Sequence, residues 1–374
     1  NIKFHISQYT MSLEGEKKIE IQKNDDIMAL LERYKPSYNG HRRNLSASRI
    51  KTLVNCPVQF YLQYVADVDT PDEVNEHIDS ATLGLVVHEV MQNLYEKGKT
   101  ITADDINGYL KEKTKIDKLI TRGFNRHFHR FDKKYYGESG DFISEKLNTP
   151  LTGEALLVAE VVRLMVETLL KKEAETGNFE FLAAEHDKEF VYKLDSGLEI
   201  NAKYIIDRID RKDNLLRIID YKTGSDELSV ASMEALFDDS NTSNNGAILQ
   251  LMIYCLWFEY YQKNSHGEIL KDTDIGIKPM IYKLRTINTE GIGNIKVNKP
   301  KLEDAKKTYK EDLLNYKDFL EDTDNGPGFK TLFHKLLTDL FDPNVPFKQT
   351  ENEAKCKYCK FKVICGREEK KEKF

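Results

Sequence analysis

Apolar and polar positions follow two different rhythms along this chain, and the change falls near residue 178. Residues 1–44 are polar and irregular, ending in the basic run Asn39-Gly40-His41-Arg42-Arg43, and read as a lead-in with one short strand or helix. Leu45-Ser46-Ala47-Ser48 reads as a helix start with a serine N-cap, and the helix runs through Ile50, Leu53 and Val54 until Pro57 interrupts it. An apolar face resumes over residues 60–65. Residues 83–97 repeat apolar positions at helical spacing, 102–136 read as charged helix in pieces, and 152–173 as one long amphipathic helix capped at Thr152 or Gly153.

Beyond that point the period shortens to two. Residues 179–192 and 198–221 predict strands, 247–262 a helix, and 280–284 a further strand. The charged stretch 302–322 and residues 327–341 predict two more helices. Helices, strands, helix and strand in that order predict an α/β core carrying helical insertions.

The second strand segment contains the chemistry. Residues 204–222 read YIIDRIDRKDNLLRIIDYK, two β-like runs around a polar turn. With Asp213-Asn214 as a two-residue hairpin loop, Lys212 faces Leu215. Carried outward, that register sets Asp207 opposite Asp220 and Ile205 opposite Lys222, with opposed Cβ atoms about 4.5–5.5 Å apart. Alternation puts Asp220 and Lys222 on one face. Two facing carboxylates repel unless one takes a proton or a cation lies between them. Oxygen ligands favour Mg²⁺ or Mn²⁺, and Lys222 beside such an ion suits phosphodiester hydrolysis. The alternative is an ordinary surface hairpin whose acids are neutralised by Arg208, Arg211 and Lys212. Glu185, in Ala184-Glu185-His186-Asp187, reads as a solvated acid outside this group, with an additional acid feeding the site as the lesser alternative.

Composition changes the picture in two places. The chain has 374 residues, 40% hydrophobic and 32% charged, with net charge −6. That argues against a uniformly basic nucleic-acid binder but leaves room for a local basic channel. No apolar stretch approaches the roughly 20 residues that cross a bilayer, the start carries no secretory signal, and the Asn start suits a fragment of a longer protein. Five cysteines, Cys56, Cys255, Cys356, Cys359 and Cys365, disfavour a disulfide framework and favour a reducing, cytoplasmic setting with metal ligation. Cys356, Cys359 and Cys365 form a closing triplet that needs a fourth ligand. Cys56 is the candidate, and zinc and an iron–sulfur cluster both accept four cysteines. Cys255 lies in an apolar helix and reads as core.

Taken in order, these pieces resemble the RecB/AddB-type nuclease domain of the PD-(D/E)xK superfamily, in its iron–sulfur branch. Leu45–Ser48 leading into Cys56-Pro57, Gly84-Leu-Val-Val-His88, Asp207-Arg208-Ile209-Asp210, Asp220-Tyr221-Lys222-Thr223-Gly224, Gln250-x3-Tyr254 and the cysteine triplet stand in family order. The resemblance implies a restriction-endonuclease-like core, a central mixed sheet flanked by helices. It implies a nuclease domain over 45–374, a helical insertion over about 100–178, and a cluster joining the two ends through residues 356–365. It implies that His88, Asp207, Asp220 and the carbonyl of Tyr221 hold Mg²⁺ or Mn²⁺ and that Lys222 is the catalytic lysine. Gln250 and Tyr254 would buttress the site or touch DNA. Cys56, Cys356, Cys359 and Cys365 would hold a [4Fe–4S] cluster, with zinc the lesser alternative. By itself His88, on an apolar helix face, reads as a core histidine.

The implied activity is a metal-dependent DNA nuclease in recombinational repair, an exonuclease ahead of an endonuclease, acting on single strands or duplex ends. A non-catalytic DNA-binding module is the alternative, and a zinc-stapled protein-interaction domain a third. No GxxxxGK[ST] phosphate loop occurs, so any helicase function belongs to a partner subunit or domain. Residues 122–136 (RGFNRHFHRFDKKYY) interleave Arg122, Arg126, Arg130, Lys133 and Lys134 with aromatics, a composition suited to single strands and equally to an amphipathic helix. The tail 355–373 is also basic.

Overall fold

A seven-stranded sheet organises the chain. The computed structural model describes residues 18–69, 77–241, 243–265, 267–270, 275–301, 304–324 and 326–367, and the tail beyond 367 lies outside them. The strands of this sheet are β1 (Leu45–Ser46), β2 (Thr100–Ile101), β3 (Phe179–Lys193), β4 (Glu199–Lys212), β5 (Leu215–Lys222), β6 (Gly276–Lys283) and β7 (Gly293–Asn294). Their order is β2-β3-β4-β5-β6-β7, with β1 laid parallel on β4. β5 and β6 are also parallel and the remaining neighbours antiparallel, so the sheet is mixed.

The loop joining β4 to β5 is the expected two-residue turn. Asp213 and Asn214 have φ of 49° and 58°, the left-handed pair of a type I′ hairpin, and Lys212 pairs with Leu215. β5 shows apolar residues almost without a break because both of its faces are covered. Leu216 and Ile218 enter one core, while Ile219 and Tyr221 enter the other.

Five helices matter for the site: α1 (Ala47–Asn55), α2 (Ser80–Leu94), α3 (Gly153–Thr176), α4 (Gly246–Asn264) and α5 (Phe329–Phe341). Ser46 caps α1 as expected, its hydroxyl accepting from Arg49 N–H at 3.3 Å, and Pro57 opens the next short helix. α4 is apolar all round and buries thirteen of its nineteen residues, the pattern of a helix inside a core. α2 and α3 cover the opposite face. The result is a restriction-endonuclease-like arrangement of a mixed sheet between helical layers.

One expected element is absent. Residues 304–322 do not form an α-helix. Lys296–Lys301 and Asp304–Asp312 pair as an antiparallel hairpin, followed by a 3₁₀ turn at Tyr316–Phe319. A highly charged segment has no wide apolar stripe with which to dock a helix, and strand pairing satisfies its backbone instead.

Candidate active site

The site lies where β4 loses its neighbour. Along one edge β4 pairs with β5 at Arg208–Lys212 and with β1 at Ala202 and Lys203, leaving residues 204–207 between the two pairings. The hairpin register therefore holds from Lys212 to Arg208 but does not continue to set Asp207 against Asp220 or Ile205 against Lys222. The Asp207 carboxylate takes the place of the missing ladder bond, accepting the Tyr221 N–H at 2.9 Å. The edge is opened by a side chain, and the charged groups collect in the opening.

His88 enters from α2. Its Nε2–H donates to the Tyr221 carbonyl at 3.0 Å, and its Nδ1 lies 3.5 Å from Glu185 and 3.6 Å from Asp207. Ligand atoms of His88, Glu185 and Asp207 all lie within 4.8 Å of one another. His88 is thus no satisfied core histidine. Glu185 is not the solvated acid expected either. The β3–β4 register explains why. Lys193 pairs with Glu199 beside the Asp195-Ser196-Gly197 turn, and the same register runs through His186–Ile206 and Ala184–Arg208, so Glu185 falls opposite Asp207. Counting back from that turn would have found it. Glu185 also has φ of 42°, a conformation non-glycine residues adopt at a cost of about 1–3 kcal/mol, which tends to mark functional positions.

The second half of the site stands on β5 and α4. Lys222 Nζ lies 2.6 and 2.8 Å from the two Asp220 oxygens, so the acid and the base do share a face. Gln250 donates to Asp220 at 3.3 Å and accepts from Lys222 at 3.5 Å. It also donates to the Tyr254 hydroxyl at 2.8 Å, one helical turn away. Lys51 of α1, which the sequence did not single out, also reaches this group. Burial holds its ammonium below its usual range, with Asp226 opposing that and Lys222 adding to it.

Electrostatics mark the cluster as unbalanced. Burial, then the charge of Asp220, push the Asp207 carboxyl up to about 7. Burial alone would lower His88, but the Glu185 hydrogen bond and the charges of Asp207 and Asp220 raise it to about 9. Lys222 loses solvation by burial, yet Asp220 and Asp207 more than offset this and keep it protonated above its usual range.

The cations of the hairpin do not neutralise these acids. Arg208 is buried against Glu173 and Asp210, Arg217 also pairs with Asp210, Arg211 pairs with Glu180, and Lys212 donates to the Thr176 carbonyl. The basic-aromatic stretch 122–136 is committed only in part, with Arg130, Lys133 and Lys134 exposed. Phe124 is buried, Arg126 and His127 both hold Glu89, and His129 stacks on Phe131 with centroids 5.2 Å apart.

The four cysteines Cys56, Cys356, Cys359 and Cys365 line one small cavity, which brings the C-cap of α1 to the closing segment. Arg367 donates to Cys356 Sγ at 3.1 Å. Burial, with neighbouring thiols adding to it, pushes Cys359 and Cys365 up. Cys255 is fully buried in α4, as expected.

Comparison with known proteins agrees with this geometry. The chain is 25% identical over 227 residues to the B subunit of the ATP-dependent helicase/deoxyribonuclease of Clostridium perfringens (strain SM101 / Type A), covering 58% of this chain and 17% of that protein. The protein of the same name from Carboxydothermus hydrogenoformans is 26% identical over 225 residues, covering 57% and 18%. The match thus spans under a fifth of those relatives. The crystal structure of SSO0001 aligns with a TM-score of 0.23 at 14% identity, over 76% of this chain and 94% of its own, too slight a likeness to bear on the fold. The model of the PD-(D/E)XK nuclease superfamily matches residues 44–366, and with the sheet, the opened strand edge and the charged cluster inside it, the chain belongs to that superfamily.

Proposed function

We propose that this chain is a divalent-metal-dependent deoxyribonuclease, an exonuclease of recombinational repair that works in the cytoplasm within a larger helicase–nuclease assembly. The observation that carries this reading is the convergence of His88, Glu185, Asp207, Asp220 and Lys222 around one opened strand edge. Residues 45–374 form the nuclease domain in this reading, with 1–44 as lead-in and about 100–178 as helical insertion. The relatives' names motivate both the DNA substrate and the helicase partner.

The donor set fits a hard cation. Asp207, Asp220, the Tyr221 carbonyl and His88 would hold Mg²⁺ or Mn²⁺, with Glu185 beside them. Such an ion lowers the pKa of bound water and polarises a phosphate. The chain's own groups have separate tasks. Asp207 surrenders the proton that burial now favours. Lys222, held by Asp220 and Gln250, presents an ammonium to a phosphate oxygen or orients the attacking water. Gln250 and Tyr254 fix the position of Lys222.

The cysteine set offers four thiolates around one small cavity, which a [4Fe–4S] cluster and zinc both accept. Cys56, Cys356, Cys359 and Cys365 would hold a [4Fe–4S] cluster that staples the two ends of the domain. The test is anaerobic purification, metal analysis and an assay on labelled single- and double-stranded DNA. Cutting with Mg²⁺ or Mn²⁺, its loss with EDTA, and its loss in a folded Lys222→Ala variant are expected. DNA binding without cutting under any divalent ion would replace this reading with a non-catalytic binding module.

A further inference from the structure

A second feature adjoins the site, an open cleft of about 730 Å³. Its walls include Arg42 and Arg43 from the lead-in, Arg49 of α1, Lys203 of β4, Tyr64 and Tyr254. Four cations and His41 thus face two acids, Asp67 and Glu189. The acids are already engaged. Arg43 holds Asp67 at 2.6 Å, and Lys203 holds Glu189 at 3.1 Å.

Arg42 and Arg49 are different. Arg42 Nε donates to the Tyr38 carbonyl at 2.8 Å, and Arg49 donates to the Asn44 carbonyl. Among the described residues neither has a carboxylate within ion-pair distance. The Arg49 guanidinium lies over the Tyr64 ring, 5.2 Å from its centroid, which holds its plane in place. Two guanidiniums with N–H groups to spare in one concavity suit phosphate oxygens, which accept in the same forked geometry. In a chain of net charge −6, binding a polyanion requires such a local positive surface.

The cleft reaches the reacting groups through Tyr254. Tyr254 is part of its wall, and the Tyr254 hydroxyl accepts from Gln250, which touches both Asp220 and Lys222. Tyr64 stands in the wall among these cations, the mix of ring and positive charge that suits a single strand.

We propose that this cleft carries the phosphate backbone of a single nucleic-acid strand to the carboxylate–lysine site, with Arg42 and Arg49 holding its phosphates. The proposal rests on the nuclease reading for its direction but is tested by binding alone. A labelled single-stranded oligonucleotide is titrated, over a range of salt, against full-length Lys222→Ala protein and against the same protein carrying Arg42→Ala and Arg49→Ala. The pair is expected to weaken binding at least tenfold at low salt. It should also reduce the slope of log affinity against log salt by about 1.4, at about 0.7 for each phosphate of a single strand that is no longer neutralised. A charge-matched control, Lys172→Ala with Lys335→Ala, is expected to bind as the parent does.

Should Arg49→Ala disturb the fold, seen in its melting curve, the exposed Arg42→Glu change carries the test alone with the same expected direction. Unchanged affinity and slope, an equal loss in the control, or tighter binding of a duplex of the same length each overturn the proposal. The two readings separate cleanly. If wild-type protein cuts DNA while the arginine pair binds normally, the cleft assignment falls and the nuclease reading stands. If nothing is cut under any divalent ion but binding is lost with the arginines, the reverse holds.

Discussion

Arg208 of β4 and Glu173 of α3 form an ion pair in which both side chains are about 1% exposed. The same guanidinium lies 4.4 Å from the centroid of the Phe179 ring, pairs with Asp210 and donates to the Tyr221 hydroxyl at 3.2 Å. The helix is thereby fastened to the hairpin immediately behind the site. Removing one partner of a buried pair leaves a charge that water cannot reach, at a cost of about 3–5 kcal/mol. Glu173→Ala is expected to lose about that much in urea denaturation at pH 7. A loss below about 1 kcal/mol would mean that Asp210 alone satisfies the arginine.

The Lys222–Gln250–Tyr254 chain predicts a graded series. Lys222→Ala removes a group placed to act on the reaction, where losses of about 10²–10⁴ in rate are typical. Tyr254→Phe removes only the oxygen that receives Gln250, so kcat should fall about tenfold with the fold and KM little changed. Gln250→Ala should fall between the two. Steady-state assays on one oligonucleotide check the order, and a Tyr254→Phe enzyme as impaired as Lys222→Ala would place the tyrosine in the chemistry itself.

How much of this was readable beforehand differs between elements. The β4–β5 turn was legible because Asp-Asn between two apolar runs admits few backbone solutions, and Cys255 because its helix is apolar throughout. The end of the ladder at Arg208 was not legible. Whether Asp207 keeps its backbone pairing or turns its carboxylate onto the Tyr221 N–H depends on β1, which arrives from more than 150 positions earlier in the chain. Glu185 was weighed too low for a different cause. Its place beside Asp207 follows from the β3–β4 register, while its local surroundings, an acid between alanine and histidine, read mainly as solvent. The strand at Asp304–Asp312 was lost to charge, since a polar segment shows neither period clearly.

The cysteines give a prediction that separates staple from core. Cys356→Ser is expected to lose broad visible absorbance, iron content and several degrees of thermal stability together. Cys255→Ala removes one buried sulfur from α4 and should cost about 1–2 kcal/mol, the scale of a small cavity, while leaving iron unchanged. Absorbance spectra and iron assays on both variants decide it. Iron retained at wild-type level in Cys356→Ser would remove that residue from the ligand set.

The protonation of the site predicts how metal and pH compete. Asp207 is raised from an ordinary 3.8 to about 7 by burial beside Asp220, so the folded chain keeps a proton that the unfolded chain releases. Its stabilising contribution is complete below about pH 4 and is lost as pH rises through 7. His88, raised from 6.5 to about 9 by its acidic neighbours against the opposing effect of burial, contributes in full below about pH 6.5 and loses its share as pH rises through 9. Both act in one direction, so in EDTA the protein should lose melting temperature between pH 6 and pH 9. An Asp207→Asn variant, with one fewer proton to give up, should lose less. A divalent cation stands in for those protons, and its binding must release them. Stabilisation by Mn²⁺ or Mg²⁺ should therefore be small at pH 6 and grow towards pH 8.5, with affinity tightening by up to about tenfold for each proton displaced per pH unit. Thermal melts across pH with and without metal measure this. A metal-induced shift that is the same at pH 6 and pH 8.5 would show that the cation binds somewhere other than among His88, Asp207 and Asp220.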